Sequence, residues 1–93
     1  MKANFKKLAV EASFDVFVEV DVTKELGNYI HSHTVDIGLD DTARAIYHSE
    51  GEIDIPNEHA PLICSLINSN DCMLLAFVKK AIIKTLTNNE HNQ

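Results

Sequence analysis

Phe14, Val16, Val18, Val20 and Val22 occupy every second position, with Asp15, Glu19 and Asp21 between them. A period of two puts alternate side chains on opposite faces of an extended chain, and β-branched valines suit that pleated surface. The pattern predicts a half-buried strand with an apolar and an acidic face. Phe17 breaks it by setting an aromatic ring on the acidic side. A weaker strand signal runs from Phe5 to Val10. With Glu11, Ala12 and Ser13 as the turn, the two stretches read as a hairpin.

Helical spacing takes over downstream. Thr23 reads as an N-cap before a stripe of Leu26, Tyr29, Ile30 and His33. Gly27 inside that helix costs about 1 kcal/mol against alanine, and reads either as permitting the close approach of another backbone or as simply weakening the helix. Leu39, Ala43, Ile46 and Tyr47 make a second helix, with Asp36, Asp40 and Asp41 at its positive end and Gly51 as its stop. Ile53 and Ile55 alternate with Glu52 and Asp54 as a short third strand ended by Pro56. Asn57 then reads as the cap of a third helix carrying Leu62, Ile63, Leu66 and Ile67. Asn70 or Asp71 reads as the cap of a fourth, carrying Leu74, Phe77, Val78, Ala81, Ile82 and Leu86, with Lys79, Lys80 and Lys84 toward its C-terminal half, where cations suit the dipole.

The fold class expected is α+β: an N-terminal β-hairpin and a short third strand in one small sheet, covered by about four helices. Residues 1–87 read as one globular domain and 88–93 as a polar, disordered tail. At 93 residues the chain can build one modest core without a disulfide or metal staple.

The net charge of −6 is unevenly spread. Twelve acids against Lys24 and Arg44 leave residues 11–58 at −10, while residues 1–10 carry +3 and residues 59–93 carry +1. So acidic a middle disfavours direct nucleic-acid binding, because phosphate contacts need Lys and Arg. It suits a solvated surface or a basic protein partner. No apolar run approaches the roughly 20 residues that cross a bilayer, so no membrane association is expected. The apolar stretch after Lys2, Lys6 and Lys7 is broken at Glu11 and Asp15, so no signal-peptide pattern forms. The expectation is a cytoplasmic protein with Cys64 and Cys72 as thiols.

Chemistry-bearing patterns are sparse. His31 and His33, two apart on a helix, diverge by about 200° and cannot share a metal there. Cys64 and Cys72 form no Cys-x-x-Cys pair, and a zinc site would need His48 or His59 to converge on them. Asp36, Asp40 and Asp41 lack the spacing of a calcium loop. With three glycines in all, the chain has no Gly-rich phosphate cradle and no Gly-x-Ser-x-Gly elbow. No catalytic residue, metal ligand or cofactor is therefore assigned. The candidate interaction surface comprises Phe17, Glu19, Asp21, Tyr29, Tyr47, Glu52 and Asp54, since exposed aromatics beside acids suit protein contact.

Three stretches taken together, Lys24-Glu25-Leu26-Gly27-Asn28, Ala43-Arg44-Ala45-Ile46-Tyr47 and Gly51-Glu52-Ile53-Asp54-Ile55, resemble small uncharacterised proteins encoded by bacteriophages and integrated mobile elements. The resemblance covers about residues 14 to 87 and brings no catalytic residues with it. It implies an accessory or regulatory protein that works by contact. The leading functional expectation is a non-catalytic protein–protein interaction module, with a homodimer as one form. The alternatives are an acidic decoy for a basic nucleic-acid-binding protein, with Glu19, Asp21, Glu52 and Asp54 on one continuous face, and a small metal- or thiol-dependent enzyme using His59, Cys64 and Cys72.

Overall fold

The computed structural model describes residues 1–88 and is α+β. In chain order the elements are β1 (Lys2–Ala3), β2 (Leu8–Ser13), β3 (Val16–Val20), α1 (Thr23–His33), α2 (Ile37–Tyr47), β4 (Ile53–Asp54), α3 (His59–Ile67) and α4 (Ala76–Asn88). The polar tail expected over 88–93 lies, from residue 89 onward, outside the described residues; Asn88 closes α4.

The strands form two antiparallel pairs rather than one sheet. β2 pairs with β3 as a hairpin, and the expected third strand, β4, pairs with the two-residue β1 instead of extending it. Backbone bonds lengthen the β1–β4 ladder: the Ile55 amide donates to Met1 O at 2.7 Å, and the Met1 amine donates to Ile55 O at 2.8 Å. A strand as short as β1 carries almost no periodic signal, which is why its pairing with β4 was not legible.

The hairpin turns later than its sequence implied. β2 continues through Glu11 and Ala12 to Ser13, and the turn is Phe14–Asp15. Asp15 has φ 65°, left-handed backbone that an aspartate tolerates better than most residues. The Glu11 carboxylate accepts its amide hydrogen at 2.8 Å. The register slips between Glu11 and Ser13, so Ala12 sits in a bulge, a feature that twists and bends a strand.

One hydrophobic core runs from Ala3 to Leu86, with Phe5, Leu26, Ile30, Ile55, Ile63 and Ile82 fully enclosed. Leu8 and Val10 anchor the root of the hairpin in it, and Val22, whose amide donates to Phe5 O at 2.9 Å, is buried at the same end. The outer valines do not follow. Val16 and Val18 are exposed, so the expected burial of the whole valine face holds only near Val20 and Val22. The packing explains this: α4 lies against β2, while β3 has β2 as its main neighbour.

α1 and α2 share the most extensive helix contact, and Gly27 makes it possible. A Cβ built there would stand 2.8 Å from Tyr47 Cβ and 2.9 Å from the Ala43 carbonyl oxygen. The close approach proposed for this glycine is real.

Several caps differ from the sequence reading. Thr23 is the first residue of α1, not its cap; Asp21 accepts from both Thr23 N (2.9 Å) and Thr23 Oγ1 (2.6 Å). Asp36 caps α2, accepting from the amides of Gly38 and Leu39. Asn57 does not cap α3; its side-chain oxygen accepts from the Met1 amine at 3.2 Å. α4 starts at Ala76, beyond the Asn70 and Asp71 expected to cap it. α2 ends at Tyr47 with His48 as its C-cap, so Gly51 is no helix stop.

Candidate interaction surface

Four of the nine exposed large apolar side chains among the described residues sit on the outer half of the β2–β3 hairpin. Phe14 is 95% exposed, Phe17 60%, Val16 54% and Val18 43%. The register fixes their faces. Val18 pairs with Val10 and Val20 with Leu8, so the valines share the side that is buried at the root. Phe17 pairs with Glu11 and Glu19 with Ala9, so Phe17 shares the opposite side with two acids, as the alternation implied. Among the described residues β3 is bonded along one edge only, with no strand beside its other edge.

The other residues singled out by sequence do not join this surface as one patch. Asp21, just beyond β3, is ion-paired with Lys6 at 3.2 Å. The Thr23 hydroxyl, then the Thr23 amide, hold its carboxyl down at about 2, with Lys6 adding to the effect. Asp54 lies on the other sheet, paired with Lys2 at 3.1 Å. Glu52 precedes it and lines, together with Phe17, the groove between the hairpin and α4. The four acids are thus divided between the two sheets, and two of them are already paired with lysine.

Neither tyrosine is free for contact as expected. Tyr29 packs against the core, and its hydroxyl donates to Leu66 O at 2.9 Å, tying α1 to the end of α3. Burial pushes its pKa above the usual phenol value. His33 stacks on its ring at 4.1 Å between centroids. Tyr47 is half-buried, with the Lys24 ammonium 4.0 Å above its ring centroid and His48 edge-on. Lys24 also donates to Tyr47 O at 2.8 Å, so one cation clamps the end of α2 from α1.

His59 Nδ1 hydrogen-bonds to Thr42 Oγ1 at 2.8 Å, and Cys72 is buried in the core. His31 Nδ1 pairs with Asp40 Oδ1 at the rim of a shallow cleft between α1 and α2. Among the described residues, no three His, Cys, Asp or Glu side chains gather as a metal-binding set.

No family model, curated protein or solved structure matches this chain. Among the described residues no helix is long and apolar enough to cross a membrane.

A second feature escaped the sequence reading. A groove of about 940 Å³ runs between the hairpin and α4, with Phe17 and Phe77 on its walls and Phe14 at the hairpin tip. Lys80 and Lys84 line it from α4, where the sequence suggested only a match to the helix dipole. Phe77, Lys80 and Lys84 are spaced three and four apart, which places them along one side of a helix. That spacing was the available signal. That this side meets β2, nearly seventy residues earlier, was not written in it.

Proposed function

We propose that this protein is a non-catalytic contact module that docks through its β2–β3 hairpin, and that the partner the edge fits best is a second copy of the chain. The observation that carries the reading is the exposed apolar half of the hairpin beside the open edge of β3. Burying a phenylalanine or valine fully is worth about 1.5–3 kcal/mol, so leaving several in water is a standing drive to association.

The edge is compatible with itself. Antiparallel pairing of two β3 strands about Val18 sets Val16 against Val20 and Phe17 against Glu19. The valines then continue one face across four strands, and no acid within Val16–Val20 stands opposite another acid. Such a two-fold interface is closed, so it yields a dimer rather than a fibre. The resemblance to small uncharacterised phage-encoded proteins implies an accessory or regulatory protein that works by contact, in keeping with this reading.

Light scattering across a concentration series tests it. The expected mass is twice 10.4 kDa for the native chain. It should fall to the single-chain value for Val18→Lys, because a charge on a strand edge is a common block to edge pairing. A mass of 10.4 kDa for the native chain at every concentration would remove the self-pairing.

A further inference from the structure

The groove between β2 and α4 has a chemistry unlike the rest of the protein. The chain carries −6 and eight basic residues in all, yet four of the eight line this groove against two acids, Glu11 and Glu52. Lys2 is engaged by Asp54. The ammonium groups of Lys7, Lys80 and Lys84 have no ion-pair or hydrogen-bond partner among the described residues. Three cations left in water around Phe17 and Phe77 form an amphipathic trough, positive at the rim and aromatic on the walls.

The groove also follows a strand. Five of the six residues of β2 line it, and β2 is paired along one edge only, by β3. An extended peptide laid there could take main-chain hydrogen bonds from the open edge and set alternate side chains against α4.

We infer that this groove binds an extended acidic peptide segment, with a bulky apolar residue seated between Phe17 and Phe77 and flanking carboxylates on Lys7, Lys80 and Lys84. The inference rests on the contact-module reading but uses a different surface, the Phe17 side of the hairpin rather than the valine side and the β3 edge. Charge complementarity selects the occupant. A basic or neutral segment would leave the three ammoniums without counter-charge, and an acidic one matches them.

The test is a random-peptide display selection on the native chain, followed by anisotropy titration of the best fluorescein-labelled peptide and amide-shift mapping. Expected are peptides enriched in Asp and Glu around an aromatic or branched apolar residue, with shifts along β2 and α4. Affinity should drop about tenfold or more for the Lys80→Glu/Lys84→Glu variant, and fall on raising the salt. Val18→Lys, which disables the β3 edge, should leave the titration unchanged. Loss of peptide binding with the dimer intact therefore counts against the groove alone. Selected peptides that are basic or uncharged, or full binding by the double variant while its circular dichroism is native, would overturn the inference. So would tighter binding of dodecanoate than of peptide at the same amides, or groove shifts that appear on raising protein concentration alone. Those results would assign the trough to an anionic amphiphile or to a second copy.

Discussion

Gly27→Ala is expected to destabilise the protein although alanine is the better helix former. Two terms oppose each other. In the middle of a helix the exchange favours folding by about 1 kcal/mol through propensity. Against this, the new Cβ would lie 2.8 Å from Tyr47 Cβ, 2.9 Å from the Ala43 carbonyl oxygen and 3.1 Å from Tyr47 Cα. Carbon atoms pack best at about 3.5–4.0 Å, so α1 and α2 must part by more than half an ångström. Two of the three obstacles are backbone atoms, so no side-chain rotation relieves them. Separation would also strain the Lys24 clamp on Tyr47. Because two of the obstacles are backbone, the cost falls in the upper part of the range for overpacking, about 2–3 kcal/mol, which leaves a net loss of about 1–2 kcal/mol. For a chain this size that lowers Tm by about 5–15 °C, measurable by circular dichroism at 222 nm. Gly51→Ala is the control, since its Cβ would meet nothing within 4 Å and its φ is not positive. It should leave Tm unchanged or raise it slightly. A Gly27→Ala variant as stable as the native chain would refute the reasoning.

Two further outcomes follow from the hydrogen bonds. The Asp21 carboxyl is held down to about 2 in the folded chain, against 3.8 for a free aspartate, because Thr23 donates to it twice. Its ionised form therefore adds stability above about pH 4, and that contribution disappears as pH falls through about 2. Asp21→Asn should flatten the acid limb of a pH–stability curve in that window, and an unchanged slope would count against the Thr23 contacts. Asp36→Ala removes the one side-chain acceptor at the start of α2 and should cost about 1 kcal/mol in urea unfolding with an unchanged m-value. Asp41→Ala, with its side chain exposed beyond the cap, should cost less.

The interaction surface was partly legible. Phe17 on the acidic side of its strand was readable from the alternation alone and is exposed as that pattern allows. Phe14 and Val16 fall on the apolar face of the same alternation yet stand in water, because a period of two reports which side chains share a face and not whether anything covers it. Tyr29 and Tyr47 were read as contact candidates because helical spacing cannot tell a ring facing solvent from one facing Leu66 O or a lysine. Lys80 and Lys84 were credited to the helix dipole, since one helix taken alone offers no other partner.

The periodicities themselves determined the α+β class, the four helices and the hairpin, because propensity and amphipathic spacing act over a few neighbouring residues. What only the tertiary structure decided were relations between distant segments. β4 joins β1 across fifty residues, and α4 comes to rest on β2 and not on β3. That single placement buries Leu8 and Val10, leaves the outer valines in water and gathers scattered lysines into one trough. The physical reason is that burial and charge clustering depend on which apolar faces meet in space, and a local pattern shows that a face exists without naming its partner.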